Sequence, residues 1–422
     1  MKKNKLIILA AAIFALYSCG EDNVNSPIGS KDVPKQVTVT SVRDISGASI
    51  IYYNKPDDKN LKYVRAVYTT DDGDEKDATA SFYTDSLLID GFANAGTFTV
   101  KLYSVSTGEV SSAPVSVTIN PQTPPYLIAS GSMELFPTFA GIRIAAPNET
   151  EAKLSFGSYK KNAAGEWEEI GMYYTVAKDI GFSVRGQEAT PAEFGVRVRD
   201  KWGHWSEIKT LATTPWFEAE CSKSLFKEVV NLASDERIQH TWSGSNTAFA
   251  NLWDGQLMQN AAKCFHTRPG GTSLPQHFTM DLGKVYTLSR MLIWGRASCT
   301  NQGGSSNDWQ HVFSGGYPLQ IQLYGSTYTG TDPTQLVDDI NDPTAWVLIG
   351  DHFLRRADGS VDPVLGNNVG TAEDQALLER GQEIEFPADA PKIRYFRFNT
   401  VMTYGGASAV MLGEFSFFGS AE

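Results

Sequence analysis

The sequence predicts an all-β protein, with two small tandem β-sandwiches followed by a larger β jelly roll. Three observations lead there. Short runs of β-branched and aromatic residues alternate apolar with polar side chains at period two. Clusters of Gly, Pro, Asn and Asp separate those runs. One pattern of strands and turns also recurs at the spacing of a small domain. With 422 residues the chain is too long for a single ordinary core. Its 41% hydrophobic and 20% charged content is that of a globular protein rather than a disordered one.

The N-terminus carries an address. Lys2, Lys3 and Lys5 precede an apolar run from Leu6 to Tyr17, the layout of a signal peptide over residues 1–18. The run is too short for a permanent membrane span. Leu16-Tyr17-Ser18-Cys19 resembles the bacterial lipobox, in which the cysteine is acylated and becomes the first mature residue. Gly20-Glu21-Asp22 resembles the acidic tag that sends lipoproteins of Bacteroidetes-type bacteria to the outer face of the outer membrane. These resemblances imply a protein held in outer-membrane lipid through Cys19 and facing the cell exterior. The polar stretch 19–33 then reads as a lipidated cysteine and a flexible tether. Losing the three early lysines leaves 33 basic against 48 acidic residues, a balance of −15. Such a charge excludes a generic nucleic-acid or anionic-membrane surface. Beyond Cys19, Cys221, Cys264 and Cys299 could form one disulfide with one thiol left over, and spacing does not choose the pair.

The first sandwich is expected over 34–121. "QVTVTSV", "ASIIYY", "YVRAVYTT", "TFTVKLYSV" and "APVSVTI" are its strands, with turns at "NKPDDKN", "DDGDEKD" and "STGEVSS". The proline-rich "NPQTPPY" marks a joint, and the second sandwich follows over 122–215. Pro56 and Pro147 lie 91 positions apart, and Phe98 and Phe194 lie 96 apart, which argues for two copies of one fold. Both resemble fibronectin type III domains of the immunoglobulin-like class in strand count and in their closing "strand, turn, Ser, strand" element. In "KWGHWSE" the two tryptophans flanking His204 read as a hairpin whose aromatics cover the core.

The third domain is expected over 216–422. "HFTMDLG" places Phe278, Met280 and Leu282 on one face, and "LQIQLYG" does the same with Leu319, Ile321 and Leu323. A helix of one or two turns is conceivable only at "AEDQALLERG". The ordered blocks "FANLWDGQ", "CFHT", "PQHFTMDLGKVYTLSRMLIWGR", "IQLYGS", "WVLIG", "RYFRFNT" and "GEFSFFG" resemble the discoidin, or galactose-binding-like, domain over nearly its whole length. The whole arrangement resembles surface lipoproteins of bacterial glycan-utilisation loci, and implies other glycan-uptake proteins as partners. Phe265 departs from the family's usual Trp before His266, and stretches 295–318 and 326–346 are longer than the loops expected there.

Candidate site residues follow from chemistry and from this resemblance. Sugar recognition uses an aromatic plate under the pyranose and planar hydrogen-bond donors for its hydroxyls. His266, Arg296, Asn301, Trp309, His311, Tyr317 and Tyr404 offer those side chains in loops. The resemblance singles out Arg296, and the Gly/Ser/Asn-rich run around Trp309 suits an exposed ring. In the resembling family an Asp-Gly loop and a closing Gly-Glu hold a structural calcium, and Asp254 and Glu414 match those positions. Two roles therefore stand open for Asp254: calcium ligand, or turn residue before Gly255.

The chain has no GxSxG, HExxH or P-loop, and its six histidines lack metal-ligand spacing. The expected function is non-catalytic capture of a polysaccharide or glycoconjugate through the C-terminal jelly roll. The rivals are an adhesion or scaffold protein that docks a protein partner and, third, a glycan-active hydrolase.

Overall fold

A computed structural model describes residues 29, 31–241, 243–257, 263–268, 270, 273–296, 313, 315–361, 371–406 and 408–422. It is an all-β fold of antiparallel sheets. The residues cluster into two compact units. One takes in the chain up to Leu135 with Ile144–Phe182 and Glu193–Leu211; the other takes in Phe136–Arg143, Ser183–Ala192 and Ala212–Glu422.

The first sandwich lies wholly in the first unit. Strands β1 (Thr38–Ile45), β2 (Ala48–Asn54) and β5 (Ser86–Asp90) form one sheet in the order β1-β2-β5. Strands β3 (Leu61–Thr69), β4 (Glu75–Ser81), β6 (Phe98–Ser106) and β7 (Val115–Ile119) form the other, ordered β4-β3-β6-β7. Alternation does what the sequence predicts: Val64, Ala66, Val100 and Leu102 point inward and are buried with Ile51 and Ile89.

After the joint come helix α1 (Pro125–Ser132) and the strands of the second sandwich: β8 (Glu134–Thr138), β9 (Gly141–Pro147), β10 (Leu154–Lys161), β11 (Trp167–Thr175), β12 (Asp179–Val184), β13 (Ala192–Arg199) and β14 (Lys209–Thr213). Their sheets run β12-β9-β8 and β11-β10-β13-β14, the strand order of the first sandwich repeated. The spacing of the prolines and phenylalanines thus reports a duplicated topology. Helix α1 falls where the sequence read a plain joint; Pro125 starts it at a position where a missing N–H costs nothing.

The "KWGHWSE" hairpin differs from expectation. Trp202 is 44% exposed, with the Lys76 and Lys201 ammonium groups 4.6 and 4.7 Å from its ring. Trp205 lies against the Arg197 guanidinium, 4.2 Å from the ring. His204 sits between Asp200, at 2.8 Å, and Asp72, at 3.3 Å. These aromatics carry cations instead of covering a core, because the flanking strands supply lysines and arginines at the right register.

The jelly roll is organised by one strand. β18 (Gln276–Gly295) pairs through Gln276–Asp281 with β22 (Ile393–Thr403), and through Tyr286–Gly295 with β23 (Met411–Ala421). It changes partner at Gly283, whose φ of +78° and close approach to Leu225 exclude a side chain. β19 (Pro318–Ser326) and β20 (Trp346–Phe353) extend the β22 side, and β21 (Gln382–Glu385) adds to β18. The short β15 (Ala219–Glu220), β16 (Lys227–Glu228) and β17 (Phe265–His266) pair with β23, β18 and β23 respectively. Phe278, Met280, Leu282, Leu319, Ile321 and Leu323 fill the core, as alternation predicts. Helix α2 (Ala372–Arg380) occupies the anticipated segment, started by a reciprocal cap between Thr371 and Asp374.

The long stretch before β20 has a small core of its own. Leu336, Ala345, Trp346 and Tyr395 bury themselves with Val229 and Leu232 on the outer face of the sheet. Asp332, Asp339 and Asp342 each accept a backbone N–H two residues on, so the segment is a succession of Asx turns. Among the described residues no helix is long and apolar enough to cross a membrane. Cys19 and Cys299 lie outside the described residues; Cys221 is a buried free thiol and Cys264 is buried too, and burial pushes each up to about 12.

Candidate functional site

One end of the jelly roll holds Arg296 and His266, two of the predicted ligand residues. β18 ends there at Gly295, β23 begins there at Met411, and β17 lies beside it, with His266 opposite Met411. Arg296 follows directly, half-buried, its Nη1 3.2 Å from Met411 Sδ. Arg268, two residues past β17, is exposed. This rim therefore presents two guanidinium groups, the planar donors that suit vicinal hydroxyls. Asn301, Trp309 and His311, in the segment that continues from Arg296, lie outside the described residues.

Three predicted ligand residues are corrected by their burial. Tyr317 is 1% exposed and Tyr404 is 0% exposed. Their rings pack on Phe313 at 5.4 and 5.1 Å, and Tyr404 donates its hydroxyl to Leu354 O at 2.6 Å. Burial raises both phenols. They are the floor beneath the rim, because the chain at the start of β19 and the end of β22 turns the rings inward, and neither offers a face to a sugar. His266 is also buried, its ring edge-on to His240 at 5.0 Å. It supports the rim from beneath.

Asp254 and Glu414 are brought together, though 160 positions apart, because the first loop of the domain folds onto the closing strand. Glu414 is fully buried on β23, opposite Trp294 of β18. Its Oε1 accepts from Lys223 Nζ at 2.5 Å and from the Gly255 N–H at 3.1 Å. Asp254 is exposed and folds back to accept the Gln256 N–H at 2.8 Å, while Gly255 takes a φ of +82°. That is an Asx turn followed by a left-handed glycine, the second of the two roles open for Asp254. A calcium cage needs six to eight oxygens, several of them anionic. Here Oε1 of the buried carboxylate faces an ammonium and an N–H, both donors. Among the described residues Oε2 accepts no hydrogen bond, and no group of three His, Cys, Asp or Glu side chains fit to hold a metal occurs. The donor set does not fit calcium.

A second polar cluster, missed in the sequence, lies on the outer face of the β18-β22-β19 sheet. Arg397 of β22 is fully buried, with its guanidinium 4.0 Å from the Trp346 ring. Its Nε donates to Thr279 Oγ1 at 2.8 Å and its Nη1 to Asp338 O at 2.9 Å. Asp235 Oδ1 is 3.6 Å from Nε. Burial lifts the Asp235 carboxyl to about 6 despite that cation, and burial with Arg397 lowers His277 to about 4. Ser234 Oγ lies 2.9 Å from His277 Nε2 and 2.7 Å from Asp338 Oδ1.

Serine, histidine and aspartate together invite comparison with a hydrolase triad, but the connections differ. In a triad the acid holds the histidine's other nitrogen and the histidine takes the serine proton. Here the serine hydroxyl donates to Asp338, so His277 Nε2 must be the donor to Ser234. A ring pushed down to about 4 is also a weak base. The cluster fastens the Asp338 turn and the Ser234 loop to the sheet. No spacing could reveal it, since its members come from four separate segments between 234 and 397.

Comparison with known proteins gives three family matches, each described as a domain of unknown function: DUF4959 over residues 34–121, DUF5126 over 122–224 and DUF5000 over 253–419. No curated protein sequence matches the chain. Among solved structures, a SusE-like protein is similar at 27% identity, covering 71% of this chain and 100% of its own, with a TM-score of 0.42. The C-terminal domain of a chitobiase from Bacteroides fragilis is similar at 14% identity over 48% of this chain and 99% of that one, TM-score 0.29. The GH31 CBM32-2 module bound to GalNAc is similar at 12% identity over 44% and 93%, TM-score 0.25.

Proposed function

We propose that this chain is a non-catalytic glycan-capturing lipoprotein. Acylated Cys19 holds it in the outer membrane, and the rim of the jelly roll around Arg296 takes a polysaccharide or glycoconjugate, beside other proteins of glycan uptake. The observation that carries this reading is the convergence of β17, β18 and β23 on one rim that bears Arg296 and Arg268 and continues into the segment with Asn301, Trp309 and His311. Guanidinium groups supply the hydroxyl donors, and Trp309 is the candidate plate. With a mature balance of −15, the chain favours neutral glycans over polyanions. Each contact is weak, and many anchored copies on one polymer make retention strong.

Affinity electrophoresis of the mature chain against a broad panel of neutral and acidic glycans tests this. Retardation by at least one neutral polysaccharide is expected, with Trp309→Ala weakening it by roughly tenfold, the scale of one lost stacking contact, at an unchanged melting temperature. Migration unaffected by every glycan sinks the reading. Release of new reducing ends would replace it with a hydrolase, and a protein partner retained in excess sugar would replace it with an adhesin.

A further inference from the structure

We propose that the Lys223 ammonium is the resident cation of the jelly roll, standing where the resembling family would place calcium, so that this domain holds its first loop and its last strand together without metal.

The chain builds this position in four steps. β15 pairs Ala219 and Glu220 with Gly419 and Phe418, laying the entry of the domain along the closing strand. The Cys221 N–H then donates to Phe417 O at 2.8 Å, which keeps the chain on β23. A single 3-10 turn, Lys223–Leu225, swings the lysine over the face of β23 opposite the core. That face carries Glu414 and Ser416, since Phe415 and Phe417 point into the core by alternation. Lys223 reaches Glu414 Oε1 at 2.5 Å, with Glu220 Oε1 3.7 Å away and Ser416 donating to Glu220 at 2.8 Å.

The surroundings are arranged to neutralise an anion. The carboxylate of Glu414 is wholly buried, and burial of an unpaired charge is expensive. Both groups that reach its Oε1 bring positive charge: the ammonium, and the Gly255 N–H from the left-handed turn. A divalent ion at the same carboxylate would meet a like charge and an N–H dipole where it needs oxygens. Asp254 could supply oxygen but is exposed and closed on its own turn. Gly413, next along the strand, lies against Leu257 O and Gly295 O, which seats the 254–257 loop directly on β23. The lysine from the entry turn and the Gly255 N–H from the Asp-Gly loop thus meet on one carboxylate of the final strand.

The test reads thermal stability of the full mature chain and is independent of any glycan. With 5 mM EDTA, or with 5 mM CaCl2 after chelation, the melting temperature of the jelly-roll transition is expected to stay within about 1 °C. A genuine structural calcium at a hundredfold its Kd would raise it by roughly 5–10 °C, and that result overturns the proposal. Lys223→Met, which strands the buried carboxylate, should lower the melting temperature by roughly 5–10 °C, whereas Lys223→Arg should retain most of it. The pair Lys223→Met with Glu414→Gln should recover much of the loss, because no charge is then left unpaired. A Lys223→Met protein that melts like the original overturns the proposal as well. If that variant fails to fold, the chelation arm on the unmodified chain still decides.

Discussion

Two arginines of the jelly roll, Arg296 and Arg397, have opposite fates. Arg397 is fully buried, stacked on Trp346 and bonded to Thr279 and Asp338. Arg296 is half-buried at the rim, and its contact among the described residues is a thioether sulfur. A guanidinium sealed beneath the fold cannot reach a ligand, and one left partly open at a rim can. The same residue type is therefore cement in one place and a candidate reader in the other. Partners and burial separate the two.

The sharpest way to break this contrast is to remove each guanidinium in turn. Arg397→Met should destabilise the jelly roll by about 3–5 kcal/mol, since it leaves Asp235 buried without its cation. The loss in urea or thermal melts should be smaller at pH 4 than at pH 8, because the carboxyl that titrates near 6 can then stay neutral. Arg296→Ala should change stability by less than about 1 kcal/mol while weakening glycan retardation by about tenfold, the scale of one charge-assisted hydrogen bond. Equal destabilisation by the two variants would erase the distinction.

The smallest expected effect is a compensation with pH. Between about 4 and 6 native Asp235 keeps a proton that the unfolded chain has released, so its share of stability falls as pH rises. Between about 4 and 6.5 native His277 refuses a proton that the unfolded chain holds, so its share rises. The two oppose each other and the unmodified chain should show little net slope from this pair. Asp235→Asn should expose the rise and His277→Gln the fall, measured as unfolding free energy across that window. A Asp235→Asn variant with no greater upward slope than the parent counts against this assignment.

Much of the jelly roll was legible because alternation is a strong signal wherever one face of a strand is buried. Phe278, Met280, Leu282, Leu319, Ile321 and Leu323 are inside, as their period requires. The repeat of the sandwiches was legible for the same reason, through the spacing of equivalent strands. Side chains whose environment comes from distant segments were not. Alternation assigns Arg397 correctly to the outer face with Tyr395 and Asn399, and says nothing of the 327–345 segment that buries it there. Tyr317 and Tyr404 read as loop aromatics because Gly-rich neighbours hide the strand ends that turn them inward. The proximity of Asp254 and Glu414 was readable by resemblance, yet the lysine paired with Glu414 was not, since nothing in "CSKSLF" marks Lys223 as different from any surface lysine.

The closing strand also has a mechanical meaning. β23 begins at the rim with Met411 and ends beside the entry strand, where Gly419 pairs with Ala219. Its 11 residues span roughly 35 Å. A polymer gripped at Arg296, as proposed, and dragged by flowing water would load β18 and β23 along their length, against the entry strand β15 at the far end. Bonds across such strands must fail together, not one by one as in a zipper. The domain is strung to resist the pull that its proposed cargo would exert.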